Sequence, residues 1–234
     1  MLNFTKRSSD HELMDGPINT IQELFINLRE LEFINIWTGG RHSYHALKKL
    51  MHDPSKQYKI ADIGFGAGDM LTYIVNQNPN GGKFDLYAID LMPEAKAYVD
   101  HYHPEINNMV RFHIGDYKDF FLKNHSIDIA LAGLFCHHLT DDEIVDFFTL
   151  IKKHCKVGAV VNDLHRSPIA YYGIKWPTQW FSKSRFTKND APLSVLRGFK
   201  RSELIHLLQK AGVKNYTIQW KWAFRFVITI YTHE

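Results

Sequence analysis

The first fifty residues contain two segments whose apolar side chains recur at helical spacing. Between residues 20 and 37, an apolar residue returns every three to four positions, which predicts an amphipathic helix. Gly39-Gly40 is expected to end this helix, because glycine commonly follows the last helical turn. A second, shorter helix is expected over 42–52. Two helices are therefore predicted before the first strand.

From residue 58 onwards, short apolar runs alternate with helical stretches. Buried strands are expected at 58–63, 84–89, 110–114, 127–134, 159–163, 213–222 and 225–232. Helices are expected at 67–76, 93–102, 140–154 and 202–211. Strands that alternate with helices in this way indicate βαβ units and a parallel sheet. The fold class is therefore α/β, with a Rossmann-like, doubly wound, mostly parallel seven-stranded sheet.

Residues 167–199 interrupt this alternation. The segment is rich in aromatic residues and contains three prolines, so we expect an irregular aromatic insertion rather than a regular element. In a fold of this class it would lie as a lid over the crevice at the edge of the sheet. We accordingly divide the chain into an N-terminal helical lid at 1–56 and a main domain at 57–234.

Composition excludes several classes of protein. Of the 234 residues, 45% are hydrophobic and 23% are charged, which is the ordinary amino-acid composition of a globular protein. A net charge of +3 is too small to indicate a nucleic-acid partner, and two cysteines exclude a disulfide scaffold. No apolar run approaches the ~20 residues of a membrane-spanning helix. The N-terminal residues do not resemble a signal peptide, so we expect a cytoplasmic protein without stable membrane insertion.

The most informative motif is a glycine-rich loop that joins a predicted strand to a predicted helix. It reads Asp62-Ile63-Gly64-Phe65-Gly66-Ala67-Gly68-Asp69. A dinucleotide-binding loop has its third glycine at the sixth position, where this chain has Asp69. Carboxylates beside a pyrophosphate would repel it, whereas beside an amino group or a sulfonium they would attract it. Asp62 and Asp69 therefore disfavour a nicotinamide-dependent dehydrogenase and favour a positively charged nucleoside–amino acid ligand.

Two further carboxylates follow the next two strands. Asp90 ends the second strand, 22 residues after Gly68, which is the spacing expected of an acid that binds ribose hydroxyls. Asp116 follows the third strand, where it could accept a hydrogen bond from the exocyclic amine of a base. Because carboxyl ends of parallel strands meet at one edge, we expect these acids to face the same crevice.

Together these residues resemble the class I S-adenosylmethionine-dependent methyltransferases. The resemblance covers residues 58–165 well and the last two strands loosely, and it implies a sheet with an antiparallel last strand. It also implies S-adenosylmethionine as cofactor. The resemblance places Gly64, Gly66, Gly68, Asp90 and Asp116 at the cofactor. We also expect Asp62, Leu91, Tyr117 and Leu134 to contact the cofactor, and Arg41, after Gly39-Gly40, to reach either the cofactor's carboxylate or the acceptor.

Histidines follow the fourth and fifth predicted strands and are the candidate catalytic groups. Imidazole suits proton transfer near neutral pH, so we take His165 as the first candidate for a general base, followed by His138 and His137. Asp163 could orient an imidazole. We expect no metal site, because carboxylates are absent where hard cations would need them.

The expected acceptor is a small aromatic or phenolic molecule, because the lid is aromatic. The candidate substrate-binding residues are Arg166, Tyr171, Tyr172, Trp176 and Trp180. The segment 162–168 and the tyrosines after it resemble methyltransferases of polyketide and phenolic-lipid biosynthesis, which favours O-methylation in secondary metabolism. Carbon methylation of a quinone precursor and non-catalytic cofactor binding remain as alternatives, and the oligomeric state stays open. A nucleic-acid acceptor is disfavoured.

Overall fold

A seven-stranded sheet runs through the computed structural model, which describes residues 2–16, 18, 20–53, 55–78, 84–123 and 126–232. The strands are β1 (Tyr58–Ile63), β2 (Phe84–Asp90), β3 (Val110–Ile114), β4 (Ile127–Gly133), β5 (Cys155–Leu164), β6 (Tyr216–Lys221) and β7 (Arg225–Tyr231). Each coincides with a predicted strand. The largest difference is at β5, which begins four residues earlier than expected.

The helices flank this sheet. They are α1 (Ile21–Trp37), α2 (His42–Leu50), α3 (Asp69–Asn76), α4 (Pro93–Tyr102), α5 (Tyr117–Leu122), α6 (Asp141–His154), α7 (Pro168–Phe181), α8 (Arg185–Arg197) and α9 (Arg201–Lys210). The short helix α5 was not predicted. Its six residues are too few to show a helical period, and its start is fixed by Asp116, whose carboxylate accepts a hydrogen bond from the backbone N–H of Lys118.

The strand order is β3-β2-β1-β4-β5-β7-β6, and β7 runs antiparallel to both of its neighbours. The chain winds outward from β1 through β2 to β3 and then returns to place β4 on the other side of β1. This reversal opens a crevice at the carboxyl ends of β1 and β4, where ligands bind in open α/β sheets. The prediction of a doubly wound, mostly parallel sheet with an antiparallel last strand is confirmed.

Hydrophobic layers cover both faces of the sheet. Successive residues of β1 alternate between them: Ile60 packs in the layer with Leu47, whereas Ala61 packs in the layer with Phe147. Strands that are covered on both faces consist of nearly continuous apolar residues, so the sequence pattern could predict them.

The expectation of an irregular insertion at 167–199 is wrong, because the segment forms α7 and α8. Both helices have serine N-caps: Ser167 accepts a hydrogen bond from the N–H of Ala170, and Ser184 accepts one from the N–H of Thr187. Pro177 and Pro192 lie inside the helices and suggested breaks in the sequence. Each proline removes one helical hydrogen bond, and tertiary packing outweighs that loss.

Candidate active site

A cavity of about 860 Å³ lies over the carboxyl edge of the sheet. Its floor is formed by the segments that follow β1, β2, β3 and β4. Its walls come from α1, α7, α8 and the turn between β6 and β7. Residues 11–15, which precede the first helix, also line it. The chain elements that the sequence analysis assigned to a lid therefore do contribute walls, although the proposed division into domains stays a prediction.

The glycine loop needs glycine for two separate reasons. Gly64 has φ +71°, and a Cβ there would lie 2.7 Å from the ring of Phe135. Gly68 has φ +76° immediately before α3, where a Cβ would lie 2.8 Å from Val99. The loop is held to the next strand by the N–H of Gly66, which donates to Asp90 Oδ2 at 3.0 Å. Gly64 and Gly66 line the cavity.

The acids after β2 and β3 also line the cavity, together with Leu91, Tyr117 and Leu134. Asp90 Oδ1 accepts a second hydrogen bond, from the N–H of Met92 at 2.9 Å. Burial raises the pKa of Asp90 above its ordinary value, although the backbone N–H donors oppose this effect. Asp90 is thus a fixed acceptor, and ribose hydroxyls are the donors that such an acceptor suits.

A small polar recess opens beside the glycine loop and is strongly acidic. Asp62 and Asp69 line it with the amide side chains of Asn35 and Asn162. Burial, together with the nearby carboxylates of Asp69 and Asp90, raises the pKa of Asp62 to about 8. Burial also raises the pKa of Asp69 to about 6, although a hydrogen bond from Asn35 opposes the shift. These carboxylates would be stabilised as anions by a cationic ligand group.

Arg225 is a cavity-lining residue that the sequence analysis missed. Its side chain is buried, and Nη2 donates to Asn35 Oδ1 at 3.1 Å and to Thr38 Oγ1 at 2.9 Å. Within the described residues, Nε and Nη1 have no hydrogen-bond partner. Burial lowers the pKa of Arg225 to about 10, so the guanidinium remains charged at neutral pH. A buried cation with two unused donors suits an anionic ligand group.

The signal for Arg225 was present in the sequence. It is the one charged residue in the otherwise apolar strand β7. Buried charged residues are rare unless they are paired or functional, so its position was informative.

Two histidines follow β4 and line the cavity. His137 is buried, and its Nδ1 lies 2.7 Å from Asp163 Oδ1. Burial disfavours the charge on Asp163, but the adjacent His137 imidazole and its hydrogen bonds hold the pKa of this carboxyl below its usual value. The carboxylate thus orients the ring and leaves Nε2 as the second functional atom, 3.7 Å from Glu12 Oε1.

His138 has a different electrostatic environment. Burial alone lowers its pKa, but contacts with Asp15 and Glu12 raise the pKa above its ordinary value. These acidic neighbours stabilise the protonated form of His138. Glu12 and Asp15 were not predicted, because the polar N-terminal segment gave no sign of packing beside β4.

One trio of residues in the described part of the chain could hold a metal ion. The ligand atoms of Glu12, His137 and His138 lie within 4.8 Å of one another. Each also has protein partners: Ser194 Oγ donates to Glu12 Oε1 at 2.7 Å, and Asp163 binds His137. The expectation of a chain without a metal stays a prediction.

The structure places three other candidates outside the cavity. His165 follows Leu164, which lines the cavity, and neighbouring residues of extended backbone point to opposite sides. His165 Nδ1 instead accepts a 3.3 Å hydrogen bond from the indole of Trp220. Arg166 is fully buried and bonds Glu203 and backbone carbonyls, and Arg41 lies over the ring of Tyr73 at 4.8 Å. None of these three side chains lines the cavity, and the roles expected for them stay predictions.

The aromatic substrate-binding candidates on α7 also lie outside the cavity. The face of α7 that lines the cavity carries Ile169, Ala170, Gly173 and Ile174. Tyr171 is buried against Phe4, and Tyr172, Trp176 and Trp180 are exposed to solvent. Composition indicated an aromatic segment correctly, but in a helix only one face meets the ligand space.

Comparisons with known proteins agree with this geometry. Residues 60–158 match the family model described as a methyltransferase domain. No curated protein is similar in sequence at a significant level.

Solved structures share the fold at low sequence identity. Human N-acetylserotonin methyltransferase, in complex with S-adenosylmethionine, has a TM-score of 0.62 at 20% identity, over 92% of this chain and 57% of its own. A putative O-methyltransferase from Nostoc punctiforme has a TM-score of 0.62 at 14% identity, over 96% of this chain and 64% of its own. The plantazolicin methyltransferase BpumL, in complex with S-adenosylhomocysteine, has a TM-score of 0.64 at 18% identity, over 91% of this chain and 89% of its own.

The chain thus spans about three fifths of the length of the first two structures. The family match therefore indicates a methyltransferase domain over residues 60–158, and the solved structures that share the fold include methyltransferases bound to S-adenosylmethionine or S-adenosylhomocysteine.

Proposed function

We propose that the chain transfers the methyl group of S-adenosylmethionine to an oxygen of a small, largely apolar acceptor of aromatic or phenolic chemistry. His137 acts as the general base in this proposal, in place of His165. The observation that carries it is the buried contact between His137 and Asp163 on the cavity wall.

The reaction requires little covalent chemistry from the protein. S-adenosylmethionine, when bound, would supply a methyl group on a sulfonium, and transfer to the acceptor oxygen would leave S-adenosylhomocysteine and a methyl ether. His137 Nε2 would accept the proton that the acceptor hydroxyl loses. The protein contributes the aligned geometry and the proton acceptor.

Residues at the cofactor end of the cavity complement the charged groups of the cofactor. The acidic recess at Asp62 and Asp69 suits the ammonium and sulfonium of the cofactor, and Asp90 suits its ribose. Arg225 suits the carboxylate of the methionine portion.

The test uses methyl-labelled S-adenosylmethionine, a panel of alkyl-substituted phenols, and His137→Gln. We expect turnover to fall by about 10²–10⁴ while S-adenosylhomocysteine binds as tightly as before, since a general base contributes about that factor. His165→Gln is the matched control and should retain full turnover. A His137→Gln enzyme with unchanged turnover would refute the assignment of the base.

The position of the transferred methyl decides between this proposal and the alternatives. A methoxy group in the product supports O-methylation, whereas a ring methyl supports carbon methylation of a quinone precursor. Tight cofactor binding without transfer to any acceptor of the panel supports a non-catalytic binding protein.

A further inference from the structure

Helix α7 exposes an apolar stripe along its whole length. Trp176 and Trp180 have exposed fractions of 53% and 73%, and Ile169 has 71%. Tyr172 and Phe181 on the same helix are also exposed. Ile169, Tyr172, Trp176 and Trp180 recur every three or four positions, so these four share one face of a helix about 21 Å long. A contiguous apolar face of this kind indicates an interaction surface.

The exposed face continues into the mouth of the cavity. Ile169 belongs to the stripe and also lines the cavity. Leu91 and Trp222 line it as well, and both are about as exposed as Ile169. Exposed apolar side chains therefore lie both along the stripe and at the cavity, and Ile169 is common to the two.

The surrounding segment carries only positive charge. From residue 164 to residue 189 the sequence contains no aspartate or glutamate, although the whole chain has 25. Five lysines and arginines lie in this segment. Arg166 is buried, Arg185 forms an ion pair with Glu23, and Lys175 Nζ lies over the ring of Tyr171, so Lys183 and Lys188 remain for an external partner.

One acidic residue of α1 contacts the turn between α7 and α8. Glu30 of α1 accepts hydrogen bonds from Ser182 Oγ at 2.5 Å and from the N–H of Lys183 at 2.7 Å. These bonds go to the turn itself and not to a lysine side chain. A partner that complements this face is apolar in its centre and anionic at its surface.

We propose that the exposed face of α7 docks on the surface of an anionic lipid bilayer. Tryptophan, tyrosine and lysine are the side chains that favour the boundary between hydrocarbon and headgroups. A second copy of the chain fits less well, because a two-fold contact would bring the lysines of each face against those of the other. The described residues include no helix with the length and apolarity to span a bilayer, so docking is peripheral.

Docking has a consequence for the acceptor, and this step rests on the proposed function. If the methyl acceptor is a lipid-soluble phenol, it reaches the cavity from the bilayer past Ile169 and Leu91. Vesicle binding is measured without any methyl transfer, so failure of docking and failure of the proposed chemistry are separate results.

The experiment is flotation with vesicles of phosphatidylcholine alone or with about 30% phosphatidylserine. We expect binding to the anionic vesicles only, and a loss of about tenfold or more in partitioning for Trp176→Ser/Trp180→Ser, since binding scales with buried apolar area. Lys183→Glu should weaken binding and its salt dependence. The matched control is Met109→Ser/Leu122→Ser, which removes two exposed apolar side chains elsewhere and should bind like the parent.

Three outcomes would overturn the proposal. The first is equal binding of the parent and the double tryptophan variant to anionic vesicles. The second is absence of vesicle binding by the folded parent. The third is a parent dimer, seen by light scattering, that the tryptophan substitutions convert to a monomer without any vesicle binding. Circular dichroism of each variant shows whether it has folded.

Discussion

The charge state of Asp62 should couple cofactor binding to pH. In the ligand-free protein, burial and the neighbouring carboxylates raise the pKa of Asp62 to about 8, so the group is mostly protonated at pH 7. A cationic cofactor stabilises the carboxylate and lowers this pKa. Binding should therefore release a proton from Asp62 at neutral pH.

The size of the effect on cofactor affinity follows from the raised pKa of Asp62. Ionising a group at one pH unit below its pKa costs about 1.4 kcal/mol, which weakens the apparent Kd about tenfold. Affinity for S-adenosylhomocysteine should thus increase from pH 6 to about pH 8 through the Asp62 contribution and then level off. Asp62→Asn cannot ionise, so this contribution disappears. Loss of a charge-assisted contact should also weaken binding by about 1.5–3 kcal/mol.

The same shift has an opposite effect on the stability of the ligand-free protein. The pKa in the folded state is about 8, above the ordinary value of 3.8, so the folded protein binds the Asp62 proton more tightly than the unfolded chain. Its contribution to the free energy of unfolding is fully present below pH ~4 and is lost as the pH rises to about 8. Compared with Asp62→Asn, the parent should lose stability over this range.

Isothermal titration calorimetry between pH 6 and pH 9, in buffers with different ionisation heats, measures both affinity and proton release. The amine of the ligand titrates identically with both proteins, so the difference between parent and Asp62→Asn isolates Asp62. Equal pH dependence in the two proteins, or proton uptake by the parent, would refute the reasoning.

Two other predictions concern the cavity wall. Arg225→Gln should weaken the binding of S-adenosylhomocysteine by about 10–100-fold, because the carboxylate of this ligand loses its charged partner. The binding of 5′-methylthioadenosine, which has no carboxylate, should be unchanged. Equal weakening of the binding of both ligands in calorimetry would contradict this role. Removal of divalent ions with a chelator should leave the rate of methyl transfer unchanged, because protein groups already bind Glu12 and His137. A loss of activity that Mg²⁺, Mn²⁺ or Zn²⁺ restores would instead assign Glu12, His137 and His138 to a metal site.

The sequence by itself determined the sheet and its ligand-binding edge. The strands are covered on both faces, so they appear as continuous apolar runs whatever lies elsewhere in the chain. The glycine loop and Asp90 also have local causes: Gly64 and Gly68 need positive φ, and the acid must follow the strand that it ends. Short-range geometry of this kind is encoded in a few consecutive residues.

The tertiary structure alone decided which side chains meet in the cavity. Glu12 and Arg225 lie far apart in sequence, and only the packing of the N-terminal segment and of β7 brings both to the same cavity. His165 and Trp176 have suitable chemistry but lie on the opposite side of their backbone segments. The pattern of a strand or a helix shows that two faces exist, whereas the neighbouring elements decide which face is turned towards the ligand.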